Sequence, residues 1–289
     1  MYKIFIDKSK ENALINLIYK FIISRQKNKF KCKLMYYSTQ KFEYSQLGNF
    51  STNDAEIKTK FENWYNSFNE SQDGEFRREW IEILSINTCL YCNLSFTNNN
   101  NKTEVSIDHF YSKNEYPLLA CNIFNFIPSC AVCNSQYKHN KEFSTEYYPY
   151  EFESESKHLE DNITIFQKIN SYNDIEAVTL KKRENLDLGI STKYENDSLN
   201  QVLELENRYN HPAIKNEAIE LLMKLEAVNN ESRIWAMTSM FSSIGLTATE
   251  AKQVFMGTSI EDRSDYLKRP LSKLRSDLIK QHAPWLLDN

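Results

Sequence analysis

The chain has 289 residues, enough for one elaborated domain or two to three small lobes, each with a core. Its composition, 41% hydrophobic and 26% charged with only 5 Gly and 6 Pro, excludes long disordered or collagen-like regions. A formal net charge of −4 argues against coating nucleic acid with the whole surface, and leaves room for a local basic patch or a partner's help.

In chain order, residues 2–6 read as a short strand. Residues 10–24 read as a helix whose apolar stripe is Leu14, Leu17, Ile18, Phe21 and Ile22. Arg25, Lys27, Lys29, Lys31 and Lys33 then alternate, so an extended segment would put five charges on one face, solvated or facing phosphates. Two helices are expected over 53–70 and 74–84, completing a mostly helical N-terminal region, 1–84. Residues 85–145 gather cysteine, histidine and asparagine, with a loop at Asn98–Asn101. The acidic stretch 146–161 resembles a linker, and Ile163–Phe166 with Ile175–Leu180 suggests a small hairpin, giving a linker region of 146–196.

From 197 to 289 the pattern is helical. Pro212 takes a first-turn position ahead of the stripe Ile214, Ala218, Leu221, Leu222, Leu225 and Val228. Thr247 and Glu250 have capping-box spacing, and Pro270 opens a last helix with Leu271, Leu274 and Leu278 inward. The Trp, Met and Phe residues of 234–241 are assigned to the core.

No apolar run approaches the ~18 residues that span a bilayer. The start of the chain lacks the layout of a signal peptide. The six cysteines are therefore expected reduced, in a cytoplasmic protein away from membranes. Four of them form two pairs, Cys89-Leu-Tyr-Cys92 and Cys130-Ala-Val-Cys133, the ligand set of a tetrahedral Zn²⁺ site. The 37 residues between Cys92 and Cys130 make an insert tied across that site. Cys32 and Cys121 have no partner at ligand spacing and read as buried thiols. Inside the insert, Val105–Phe110 reads as a strand carrying the adjacent pair Asp108–His109. Asn125 follows 16 residues later, and Asn134 stands directly behind Cys133.

CxxC, Asp-His, Asn, CxxCN in this order resembles the HNH endonucleases of the ββα-metal (His-Me finger) superfamily. The string IDHFYSKNEYPLLACNIFNFIPSCAVCN is similar to a bacterial branch that resembles the HNH nucleases of Septu-like phage-defence systems. Tyr148–Glu151, Leu203–Val228 and Arg269–Leu274 extend the likeness more weakly. Ser112 stands where that branch has proline, and Phe126 where it has leucine; neither carries chemistry. The resemblance implies an α+β fold: a ββα-metal HNH core with a four-cysteine zinc knuckle, embedded between helical N- and C-terminal regions.

The implied chemistry is hydrolysis of phosphodiester bonds. His109 is suited to take a proton from water near neutral pH. Asp108 and Asn134 offer one carboxylate and one amide oxygen to a catalytic Mg²⁺ (or Mn²⁺), which favours oxygen ligands. Neighbouring side chains on a strand diverge, so Asp108 and His109 should have different jobs. The resemblance gives Asn125 the ordering of the facing loop and the orientation of His109. Lys113, Lys138 and Lys141 stand near enough in sequence to meet phosphates, or to be solvated. His139, five positions beyond Asn134, falls off the shared face of an α-helix and is not expected to be a ligand. Double-stranded DNA as substrate, anti-phage defence and an ATPase partner subunit come from the resemblance alone. The alternatives are a non-catalytic zinc-stabilised nucleic-acid-binding subunit and an RNA-directed toxin nuclease.

Overall fold

A computed structural model of the chain describes residues 4–23, 31–69, 74–97, 105–152, 162–169, 185–194, 197–257 and 266–286. The fold is mixed α+β and mostly helical, with three two-stranded sheets among the described residues. It divides into two compact units, Met1–Asn162 and Ile163–Asn289. No helix among the described residues is long and apolar enough to cross a membrane.

In the first unit, β1 (Ile4–Ile6) runs into α1 (Lys8–Phe21), whose cap is Asp7: its carboxylate accepts the Lys10 backbone N–H at 2.7 Å. The predicted stripe Leu14, Leu17, Ile18, Phe21 and Ile22 is buried, and α1 packs on α4 (Glu75–Leu84). The α4 helix is amphipathic, with Phe76, Trp80, Ile81 and Leu84 inward. Between them come α2 (Lys31–Thr39) and α3 (Ala55–Asn69), the latter burying Phe61, Trp64 and Tyr65.

The antiparallel hairpin β2 (Ser106–His109) and β3 (Phe126–Ser129) pairs Asp108 with Ile127 and His109 with Phe126. Trp80 and Phe76 pack edge-on against Phe126, so the N-terminal helices form the floor under the hairpin. β4 (Tyr150–Phe152) closes the unit by pairing parallel to β1.

The second unit is built on β5 (Ile163–Gln167) and β6 (Leu188–Thr192), which are antiparallel. Gly189 sits under the Phe166 ring, where an added Cβ would come within 2.5 Å of it. Short helices α5 (Ser198–Leu203) and α6 (Leu205–Tyr209) lead to α7 (Pro212–Ala227), which has Pro212 in its first turn. α8 (Glu231–Ser242) packs on α9 (Ala248–Met256), which carries the expected Thr247–Glu250 capping box. α10 (Ser272–His282) lies against β5 and α7.

Several expectations need correction. The alternating basic run is not extended at Lys31 and Lys33: these open α2, where Leu34 and Ser38, four apart, turn inward together. Arg25, Lys27 and Lys29 lie outside the described residues. Cys32 is exposed, on the outer side of the same helix, whereas Cys121 is buried. The acidic stretch is not a plain linker, since Tyr147 is buried in a 3₁₀ turn and Tyr150–Phe152 is strand; residues 153–161 lie outside the described part. β5 pairs with Leu188–Thr192, and Ile175–Leu180, like Asn98–Asn101, lies outside the described residues. α10 begins after Pro270, because Leu271 at φ 62 is its non-helical cap. Of the large residues in 234–241, Met237 is buried but Trp235 (72% exposed) and Met240 (63%) face outward, since α8 packs along only one side.

Candidate functional site

The four predicted zinc ligands come together. The sulfurs of Cys89, Cys92, Cys130 and Cys133 lie within 4.8 Å of one another and all four residues are buried. Tetrahedral Zn–S bonds of about 2.3 Å put sulfurs roughly 3.8 Å apart, so the cluster fits a structural Zn²⁺. Each pair is wound as a thiolate-binding turn: Leu94 N–H points at Cys92 Sγ (3.4 Å) and Cys133 N–H at Cys130 Sγ (3.4 Å). The tight turn after the first pair needs Asn93 at φ 51. Burial pushes the Cys89 thiol up, while Cys130 is lowered, chiefly by its hydrogen bond with Cys133. The cluster is fastened to the hairpin by Leu90 N–H to the Pro128 carbonyl (3.1 Å). Tyr91, between the first two cysteines, is fully buried and donates its hydroxyl to Asp108 Oδ2.

Asp108 and His109 diverge as a strand requires, and both line one cleft of about 140 Å³. Besides Tyr91, Asp108 meets the ammonium of Lys138, 3.1 Å from Oδ2 and 3.2 Å from Oδ1. Lys138 also donates to the His109 carbonyl at 2.9 Å. Burial raises the Asp108 carboxyl above its ordinary value, opposed by the Lys138 charge and the Tyr91 hydrogen bond.

The His109 ring lies between Tyr65 (centroids 4.7 Å apart) and Phe126 (5.4 Å). Its Nε2 is 2.9 Å from the Ala120 carbonyl oxygen. A carbonyl only accepts, so Nε2 carries the proton and Nδ1 keeps the lone pair. Burial lowers the ring's pKa to about 4, with the Ala120 bond opposing, so the imidazole is neutral at pH 7.

Asn125 makes no hydrogen bond to the ring and is not among the residues that line the cleft. Fully buried, it accepts from Tyr111 N–H (2.9 Å) and donates to the carbonyls of Tyr111 (3.0 Å) and Leu119 (3.4 Å). It therefore ties the end of β2 to the turn that offers the Ala120 carbonyl to His109.

Asn134 is on the cleft wall with Asp108 and His109. It belongs to Val132–Lys138, which is π-helical: His139 N–H bonds the carbonyl of Asn134, five residues back, at 2.8 Å. The wider turn brings Lys138 and His139 round to the side of Asn134. The expectation that His139 lies off that face is corrected, because it assumed α-helical winding; His139 lines the cleft. The reading of Lys138 is corrected too: at 3% exposure it is neither solvated nor available to phosphate. Lys113 and Lys141 do line the cleft, Lys113 held 4.9 Å over the Tyr65 ring and 3.6 Å from Glu62.

No family model, curated protein or solved structure matches this chain. Sequence reasoning missed Tyr91 and Lys138 as partners of Asp108 and Ala120 as partner of His109. Tyr91 had a usable signal, standing inside a ligand turn, and Lys138 stands four residues after Asn134. The Ala120 carbonyl had none, since any residue supplies one.

Proposed function

We propose that this chain is a metal-dependent HNH endonuclease that hydrolyses phosphodiester bonds of DNA. The observation that carries the reading is the shared cleft: Asp108, His109 and Asn134 meet there, with His109 Nδ1 left as a base by the Nε2 bond to Ala120. The hairpin β2–β3 followed by the Val132–Lys138 helix, fastened by a four-cysteine cluster, is the order of parts expected of a ββα-metal core with a zinc knuckle.

The donors suit a hard divalent ion such as Mg²⁺, with one carboxylate, Asp108, and one amide oxygen, Asn134. When bound, such an ion neutralises charge on the scissile phosphate and on the departing 3′ oxygen. His109 Nδ1 takes the proton from the attacking water, and its fixed tautomer leaves no alternative nitrogen for the task. Asn125 positions His109 through the Ala120 turn. Lys113 and Lys141 give the mouth positive charge for the DNA backbone. A double-stranded substrate, a defence role and an ATPase partner subunit remain parts of this proposal that follow from the resemblance.

A second reading has one observation in its favour. Asp108 is already held by Tyr91 and Lys138, as it would be in a zinc-stabilised nucleic-acid-binding subunit where it only braces the knuckle. Incubating the purified protein with supercoiled plasmid, with Mg²⁺ or with EDTA, separates the two. The nuclease reading expects metal-dependent nicking. Plasmid binding without nicking, with Mg²⁺ and Mn²⁺ alike and with any co-purifying ATPase supplied, supports the second.

A further inference from the structure

Beside the cleft lies a second cavity, of about 410 Å³, and Glu142 is a wall of both. The linings differ in kind. Lysines edge the cleft, whereas among the described residues no cationic side chain lines the cavity. Its walls include Tyr44, Tyr111, Tyr116 and Phe143, with the carboxylates of Glu115 and Glu142. Tyr44 leaves 66% of its surface in solvent at the rim. The Tyr111 and Tyr116 rings stand edge to face, 6.0 Å between centroids. Glu142 and Glu115 are close enough that burial, then the Glu115 charge, raise the Glu142 carboxyl.

Cleft and cavity adjoin along one short turn. Ser112, Lys113 and Asn114 face the cleft and Glu115 and Tyr116 face the cavity. The Ser112 carbonyl closes this turn by accepting from Glu115 (3.2 Å) and Tyr116 (2.8 Å). Such a turn spans less than about 7 Å, the scale of one nucleotide. A polyanion's phosphate would avoid the two carboxylates and meet the lysines. Its base would find the converse: aromatic faces to stack on and acceptors for its amino groups.

We propose that this cavity is a nucleobase subsite, taking one unstacked base of the nucleotide next to the scissile phosphate and favouring bases with an exocyclic amine over thymine. Bases taken out of a stack are read by aromatic contact and by hydrogen bonds to their Watson–Crick edge. Cytosine, adenine and guanine offer amino N–H groups to a carboxylate, while thymine has only its N3–H to offer, set between two carbonyl oxygens that a carboxylate repels. The position beside the cut rests on the nuclease reading; the binding of a base does not.

The test has two arms. Calorimetric titration with deoxycytidine, deoxyguanosine and thymidine 5′-monophosphates needs no cleavage. The amine-bearing nucleotides should bind at least about tenfold more tightly than thymidine monophosphate, and Glu142→Gln should erase that difference. Tyr44→Ala, on the exposed rim, should weaken binding of the amine-bearing nucleotides by about 5- to 150-fold, the range of one lost base stack. Equal binding of all three nucleotides, or binding indifferent to Tyr44→Ala, would overturn the subsite. In the second arm, cleavage sites are mapped on random-sequence DNA, where thymine should be depleted at one position flanking the cut. Cleavage with no such bias contradicts the placement. If nothing is cleaved, the nuclease reading fails, and the titration still decides whether a base binds.

Discussion

Each unit of the molecule buries a lysine–aspartate pair, and the two pairs have opposite surroundings. In the second unit Lys273 and Asp277 stand one helical turn apart on α10, both about 2% exposed at the side chain. Asp277 Oδ2 also accepts the Ile165 backbone N–H of β5 at 2.8 Å. One turn on, Gln281 exchanges two hydrogen bonds with the Gln167 backbone, so α10 completes the free edge of β5. In the first unit Lys138 and Asp108 are nearly as buried, at 4% and 5%. Their partners differ, however: a tyrosine from the cysteine turn, the carbonyl of His109, and a cleft edged by Asn134. Burial raises both aspartates, so a shifted carboxyl does not by itself mark a site. What separates them is where the remaining acceptor capacity points: into a sheet in one case, into a cleft beside a neutral imidazole in the other.

The largest expected effect is removal of metal from the cysteine cluster. Structural zinc contributes about 10–16 kcal/mol of binding energy in small zinc domains, coupled to folding. Purified protein should carry one zinc per chain, and chelation or Cys130→Ser should abolish hydrogen-exchange protection around β2 and β3 while sparing α10 and β5. Elemental analysis without zinc, under reducing conditions free of chelator, would remove the knuckle from the account.

Next in size is the ion-pair comparison itself. Asp277→Ala strands a buried lysine and should cost about 3–5 kcal/mol in urea unfolding. Lys273→Met should be comparably damaging and indifferent to divalent ions. Lys138→Met also leaves a buried carboxylate, but one open to the cleft, so added Mg²⁺ or Mn²⁺ should recover part of the lost stability. Equal behaviour of the two lysine variants would erase the distinction drawn between the pairs.

A smaller effect is expected from pH. His109 titrates near 6.5 when unfolded and is held to about 4 when folded. Its contribution is therefore complete above pH 6.5 and is lost as pH falls through about 4, up to about 3 kcal/mol. Wild type should lose more stability than His109→Gln between pH 7 and pH 4. Parallel pH curves for the two would show that burial does not hold the imidazole neutral.

Much of this was legible in the sequence. The cysteine pairs, the Asp108–His109 strand, the stripes of α1 and α7 and the Thr247–Glu250 cap are local patterns, and local patterns survive folding. Long-range partners were not legible. The pairing of β5 with Leu188–Thr192 is one of these, because register depends on contacts that no short window contains. The π-helix was missed for another reason: an i→i+5 turn has no residue signature, yet it alone sets Asn134, Lys138 and His139 around one cleft. Asn125 stands out by residue type, but the Ala120 carbonyl beside the turn it binds is invisible to residue type.

The central claim is that Asp108 and Asn134 serve the metal while His109 serves the water. A divalent-ion titration of DNA cleavage by wild type, Asp108→Ala, Asn134→Ala and His109→Ala, each first shown to be folded by circular dichroism, tests it most directly. Asp108→Ala and Asn134→Ala should need more Mg²⁺ and regain part of their rate with Mn²⁺, which tolerates looser oxygen geometry. His109→Ala should lose about 10²- to 10⁴-fold at every metal concentration. Full activity in His109→Ala, or its restoration by metal alone, would contradict the assignment.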